Sequence, residues 1–215
     1  MLVSDALTSV LQDRSSGTAG AKALMSRWFR PVPQRDKIAS LYGAIVAQAR
    51  APAFYSLYGV PDTVAGRLEM LMLHVFLVLR RLRDESGTAL QLGQGIFDHF
   101  CQDMDDSMRE MGVGDLAVPR KMRRIGQAFY ERQAAYERAL AQPQNNGLGS
   151  VIRRNLSAWR DEDIGPKCLA AYIREATGRL ARQRTFEQNE LTFPDPGQLF
   201  FIQQRSLRAR RDVEI

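Results

Sequence analysis

Apolar positions along most of the chain follow three- and four-residue steps, the spacing that places side chains on one face of an α-helix. The most informative stretch runs from Phe54 to Arg83. Gly59 and Pro61 interrupt it, and Asp62 or Thr63 can then accept backbone hydrogen bonds at a helix start. The helix that follows is apolar on almost every face, so it needs partners on several sides. We therefore expect a long, buried central helix.

Other segments carry the same helical spacing. We predict helices near residues 36–50, 90–111, 119–140, 148–159 and 165–184, and two shorter ones before residue 30. The stripes that we expect to face the core include Val64 in the central helix and Met111 in the helix after it. Strand-type alternation is scarce, which predicts an all-α, single-domain helical bundle.

Three regions are expected along the chain. Residues 1–35 form an N-terminal arm with short helices, residues 36–185 form the helical core, and residues 186–215 form a basic C-terminal tail. The tail contains a short apolar run between a proline-rich stretch and several arginines, so we expect it to be peripheral.

The positive charge lies in the second half of the chain. The net charge is +6 overall, and 45% hydrophobic with 25% charged residues is ordinary usage for a globular chain. Residues 120–215 hold 18 basic and 11 acidic residues, a net charge of +7, whereas residues 1–119 hold 12 and 13, a net charge of −1. Such a half can meet nucleic acid phosphates, anionic lipid or an acidic protein face.

The sequence indicates a reducing compartment and no membrane span. Cys101 and Cys168 lie far apart and belong to no CxxC pair, so reduced thiols are expected. The N-terminus lacks a basic region followed by a long apolar stretch, which argues against a secretory signal. The most apolar run, Met70 to Leu79, contains His74 and is about half the length that a spanning helix needs.

The sequence lacks complete motifs for metal binding or catalysis. The segment from Asp103 resembles a calcium loop at first, but Met108 stands where the turn needs Gly and Gly114 where a bidentate Glu belongs. His74 and His99 lack the carboxylate three positions earlier that a di-iron bundle uses. No GxSxG motif is present. We expect no cofactor, no metal and no enzymatic activity, with His74 in the core.

Several methionines leave two interpretations open. Methionine fills irregular gaps in cores, and it also builds adaptable surfaces that accept varied apolar helices. The residues concerned are Met70, Met72, Met104, Met108, Met111 and Met122.

Three long segments of the sequence carry a likeness to known proteins. They are YGVPDTVAGRLEMLMLHVFLVLRRLR from Tyr58, FDHFCQDMDDSMREMGVGDLAVPRKMRR from Phe97 and AFYERQAAYERAL from Ala128. They occur in order and at compatible spacing, and over roughly residues 40–185 the chain resembles the ubiquinol-cytochrome c chaperone family.

The resemblance implies a helical, non-enzymatic assembly factor for the cytochrome bc1 complex, or complex III. Mitochondrial relatives accompany newly made cytochrome b, act with a small partner protein and associate with the translating ribosome near the inner membrane. Since no transit peptide or anchor is evident here, the resemblance indicates a bacterial-type member that is cytoplasmic, with peripheral contact to anionic lipid at the inner face of the cytoplasmic membrane.

Two hypotheses follow. In the first, the protein holds cytochrome b as a client, and its basic residues meet lipid, ribosomal RNA or an acidic client loop. In the alternative, the protein is a basic ribosome-surface or nucleic-acid binder without chaperone activity. No DNA-binding motif is present, so DNA is not an expected partner.

The expected partner-binding site combines the entrance of the central helix with the loop before the basic helix. If the helices return antiparallel, these two segments lie side by side. The predicted site residues are Tyr58, Gly59, Asp62, Arg67, Asp115, Pro119, Arg120, Lys121, Arg123 and Arg124.

Overall fold

The computed structural model describes residues 32–85, 87–143, 146–156, 164–183 and 191–211. Within these ranges every regular element is a helix, which confirms the all-α prediction. The short helices predicted before residue 30 and the end of the helix predicted to reach Trp159 lie outside the described residues. The helices are α1 (Val32–Ala49), α2 (Pro52–Ser56), α3 (Val64–Arg83), α4 (Thr88–Glu110), α5 (Val118–Leu140), α6 (Asn146–Asn155), α7 (Gly165–Arg182) and α8 (Pro196–Arg211).

Helix α3 begins and ends where the sequence predicts. Thr63 is extended, with φ −123° and ψ 164°, and its side chain accepts a hydrogen bond of 3.1 Å from the backbone N–H of Gly66. This bond satisfies one of the free donors of the first turn. The last turn holds Arg80, Arg81 and Arg83, and cations there complement the helix dipole.

Helix α3 is the centre of the bundle. Its residues from Met70 to Leu79 are all buried, and so is Leu82. The helix packs against α1, α4 and α7, and its Phe76 ring stacks on Tyr136 of α5 at a centroid distance of 5.5 Å. A helix that is apolar on all faces is stable only with such partners on several sides, so the predicted central helix is confirmed.

Two predicted core positions are wrong. Val64 is 69% exposed and Met111 is 59% exposed. Val64 opens α3 and Met111 is the C-cap of α4, so both stand at helix ends, where the helical spacing continues but the neighbouring layer does not. Met70, Met72 and Met108 are buried, as the core interpretation of the methionines predicts.

The C-terminal region is part of the bundle, and the expectation of a peripheral tail is wrong for residues 191–200. Pro194, Pro196 and Phe200 are buried. The hydroxyl of Tyr58 donates a hydrogen bond of 2.7 Å to the carbonyl oxygen of Pro196, and its ring packs edge-on against Phe200 at 5.0 Å. These contacts seat α8 against α2 and α7.

Candidate partner-binding surface

The start of α3 and the loop after α4 lie at the same end of the bundle. Helices α3 and α4 are packed neighbours joined by residues 84–87, and a Cβ built on Gly93 would stand 3.5 Å from Cβ of Leu82. Val64 lies 18 positions before Leu82, and Met111 lies 18 positions after Gly93. At 1.5 Å per residue, Val64 and Met111 both lie about 27 Å from that contact, so α3 and α4 are antiparallel, which is the condition on which the predicted site depends.

The loop at this end is held by its own backbone. Gly112 has φ +78°, which favours glycine, and the N–H of Val113 donates to the carbonyl of Met108 at 3.0 Å. The N–H of Ala117 donates to the carbonyl of Gly114 at 2.8 Å. The guanidinium of Arg109 also binds the carboxylate of Asp115.

The loop presents an apolar side chain to solvent. Leu116 is 98% exposed, and it lies in the loop after α4, at the end of the bundle where Val64 and Met111 are also exposed. Single exposed apolar residues are normal, whereas several at one end of a fold make that end a candidate interaction surface. We use the term tip surface for Val64, Met111 and Leu116 together with the basic first turns of α5.

The first turns of α5 are cationic and unneutralised. Pro119 stands in the first turn, as predicted. The four basic side chains that follow are exposed, and within the described residues none forms an ion pair or a side-chain hydrogen bond. Four cations at a helix N-terminus oppose the helix dipole, so this arrangement favours an anionic partner. They are Arg120, Lys121, Arg123 and Arg124.

The entrance of α3 contributes an exposed ion pair. Nε of Arg67 lies 2.6 Å from Oδ1 of Asp62, and the Arg67 guanidinium stands 5.9 Å from the ring centroid of Tyr55. This pairing lowers the pKa of Asp62. Gly59 has φ +73° and is exposed in the turn before the helix.

Tyr58 is a correction to the predicted site. Its side chain is 1% exposed and anchors α8 through the bond to Pro196. A packed aromatic ring with a bonded hydroxyl offers no contact area to a partner. Leu116 and Met111 were missed among the site residues, although an apolar residue between the glycines and the basic helix could have indicated Leu116.

Both cysteines of the described residues, Cys101 and Cys168, are free thiols. Burial raises the pKa of the Cys101 thiol to about 12 and of the Cys168 thiol to about 11, so neither is a thiolate near neutral pH. No group of three or more His, Cys, Asp or Glu side chains in these ranges is placed to hold a metal ion. Among the described helices, none is both long and apolar enough to cross a bilayer.

Comparison with known proteins points to one family. The family model described as ubiquinol-cytochrome c chaperone matches residues 56–190. The chain is 22% identical over 141 residues to ubiquinol-cytochrome-c reductase complex assembly factor 1 of Xenopus laevis, covering 65% of this chain and 70% of that protein. It is 25% identical over 142 residues to the Mus musculus protein of that name, covering 65% of this chain but only 48% of the mouse protein.

A solved structure agrees with these matches. The crystal structure of the Cbp3 homolog from Brucella abortus superposes with a TM-score of 0.71 at 32% identity, covering 81% of this chain and 98% of that chain. The matched family region contains α3, α4 and α5 entire, and thus every residue of the tip surface. The chain belongs to the ubiquinol-cytochrome c chaperone family.

Proposed function

We propose that this protein supports assembly of ubiquinol-cytochrome c reductase by binding newly made cytochrome b at the tip surface. Leu116 carries the proposal, because it is almost fully exposed on a loop fixed by backbone bonds and by the Arg109–Asp115 ion pair. Burial of an exposed leucine against an apolar client segment is favourable by about 2 kcal/mol. A fixed loop also loses little conformational freedom on binding.

The basic first turns of α5 supply the polar part of the same contact. Arg120 and Arg124 are four residues apart and therefore lie on one face of the helix. Without acidic partners among the described residues, their guanidinium groups are available for acidic side chains of a client. An apolar centre with a charged rim is the usual composition of a protein-binding surface.

The alternative is a ribosome or nucleic-acid binder. The four basic residues favour it, since phosphate contacts depend on such cations. The exposed apolar side chains of the tip surface do not, because Leu116 and Met111 contribute nothing to a phosphate contact. A small partner protein, ribosome contact and a place at the inner face of the membrane stay predictions.

Site-specific crosslinking tests the proposal. A photoreactive amino acid at position 116 is expected to crosslink cytochrome b in cells that make the bc1 complex. The matched control is position 90, where an exposed leucine opens α4 at the opposite end of the bundle. Crosslinks to cytochrome b at both positions, or at neither, would contradict a client site at the tip, and crosslinks from position 116 to ribosomal components would favour the alternative.

Loss of the protein tests the function itself. A strain without the gene is expected to accumulate less assembled bc1 complex, while its transcripts for the complex are unchanged. Restoring the intact chain should restore assembly. Normal assembly in the deletion strain would defeat the proposal whichever surface binds the client.

A further inference from the structure

Helix α8 carries a second exposed apolar site, far along the chain from the tip surface. Phe200 is buried, whereas Phe201 is 51% exposed and Ile202 is 58% exposed. The sequence of the helix, PGQLFFIQQRSLRARR, contains four arginines and no acidic residue. Phe201 and Ile202 point away from the core because Phe200 already occupies the face toward Tyr58.

One exposed arginine follows this apolar pair on α8, and two more arginines line a cavity beside Ile202. Arg205 is exposed and follows Phe201 by four residues and Ile202 by three, which places all three on one side of the helix. A cavity of about 420 Å³ lies beside Ile202 between α7 and α8, and Arg179 and Arg182 are among its other lining residues.

The two acidic side chains that line this cavity, Glu175 and Asp195, each have a partner within the protein. Oε1 of Glu175 lies 3.6 Å from Arg182 on the same helix. Oδ1 of Asp195 accepts a hydrogen bond of 3.0 Å from the backbone N–H of Gln198 in the first turn of α8. Together with Arg205, the two arginines of the cavity outnumber its two carboxylates by one positive charge.

We propose that α8 docks on the surface of an anionic lipid bilayer. Phe201 and Ile202 enter the interface between headgroups and acyl chains, and Arg205, Arg179 and Arg182 bind lipid phosphates. Exposed apolar side chains add buried apolar area when they enter a bilayer surface, and arginines beside them add attraction to anionic headgroups.

A bilayer fits this face better than nucleic acid does. Arginines would suit either, but a branched aliphatic side chain such as Ile202 neither stacks on bases nor binds phosphate. The apolar run LFFI is far too short to span a membrane, so the helix lies on the surface rather than across it.

The side of α8 opposite Phe201 and Ile202 is packed against the rest of the bundle. The Tyr58–Pro196 hydrogen bond and the buried Phe200 ring fix the first turns of the helix against α2. The helix needs no further folding to bind lipid. It also lies outside residues 56–190, the region of the family match, so the proposal concerns a feature of this chain and does not depend on client binding.

Vesicle co-sedimentation of the full chain tests the proposal. The protein is expected to bind vesicles of phosphatidylcholine mixed with phosphatidylglycerol, and to bind pure phosphatidylcholine at least about tenfold more weakly. Phe201→Ser combined with Ile202→Ser should lower binding by about tenfold or more. Arg205→Glu should lower it by a similar factor and reduce its dependence on salt.

Leu116→Ser is the matched control, because it removes an exposed leucine from the tip surface instead. It should leave vesicle binding unchanged, and all variants should keep the thermal midpoint of the intact protein. Equal binding to neutral and anionic vesicles, a loss of binding with Leu116→Ser alone, or binding to a single-stranded RNA but not to vesicles would each overturn the proposal.

Discussion

The hydroxyl of Tyr172 donates a hydrogen bond of 2.9 Å to Nε2 of His74 in the centre of the bundle. Nδ1 of His74 lies 2.7 Å from the carbonyl oxygen of Met70, which can only accept, so Nδ1 carries the proton and Nε2 is the acceptor. Nε2 of Gln48 donates to the Tyr172 oxygen at 3.0 Å. This directed chain of bonds joins α1, α7 and α3.

The stability of the fold should fall in acid because of His74. Burial lowers the pKa of this imidazole to about 4, from an ordinary value of 6.5. A folded pKa below the unfolded one means that folding favours the neutral form, so the contribution is complete above about pH 6.5 and is lost as pH falls toward 4. The loss should reach about 3 kcal/mol in the free energy of unfolding, measured by urea denaturation across this range.

A His74→Gln variant provides the control for this pH dependence. Glutamine can still donate to Met70 and accept from Tyr172, but it does not titrate. The variant should be less stable than the intact protein at neutral pH and should show a shallower decline in acid. An identical acid slope in both proteins would assign the effect to other groups.

Removing one partner of the Glu69–Arg132 ion pair should lower the stability of the fold strongly, whereas replacing both partners with apolar residues should lower it much less. Both side chains are mostly buried, and Nε of Arg132 lies 2.5 Å from Oε2 of Glu69 while a second nitrogen binds Oε1. Burial raises the pKa of Glu69, and Arg132 only partly opposes that rise. Desolvation therefore offsets much of the attraction within the pair.

A double-mutant cycle measures this balance. Glu69→Leu alone or Arg132→Leu alone should cost about 2–4 kcal/mol in the free energy of unfolding, since each leaves a charge without its partner. The double variant should cost much less than the sum, with a coupling of about 2 kcal/mol. Additive single effects would show that the pair contributes little.

Two glycines should respond in opposite directions to alanine. A Cβ at Gly66 would stand 2.1 Å from the carbonyl oxygen of Pro61, and any shift would disturb the Thr63 cap. Gly66→Ala should cost about 1–3 kcal/mol. Gly43 lies inside α1, exposed, with nothing within 4 Å of its Cβ position, so Gly43→Ala should stabilise by about 0.5–1 kcal/mol. Thermal unfolding of both variants checks the contrast.

Most of the fold can be predicted from the helical spacing of apolar residues in this sequence. The entry of α3 at Thr63 and its burial on all sides are readable because a capping residue and an uninterrupted apolar block are local features. Val64 and Met111 show the limit of such reasoning: spacing says which face a residue occupies, but not whether a neighbouring helix extends that far.

The candidate site also has a part that the sequence locates and a part that it does not. The exposed cations lie in the first turns of α5, and Asp62 and Arg67 lie at the entrance of α3, as the predicted helix starts imply, but the ion pair between Asp62 and Arg67 was not predicted. Tyr58 could not be assigned, because its burial depends on Pro196 and Phe200, which are more than 130 positions away in the chain. A contact of that range leaves no signal in the local pattern around either residue.

Reversing the charge of α5 should separate binding from folding. Arg120 and Arg124 are exposed in the first turns of this helix, where acidic side chains suit the dipole. Arg120→Glu with Arg124→Glu should therefore leave the thermal midpoint unchanged or slightly raised. If these residues meet acidic groups of the client, the cytochrome b that copurifies with the tagged protein should fall by about tenfold, and the remainder should no longer weaken as salt rises.

Arg154→Glu with Lys167→Glu, an equal charge change at exposed positions of α6 and α7, should keep capture within about twofold of the intact protein. Equal losses in the two double variants would show that overall charge, rather than the tip surface, controls client capture.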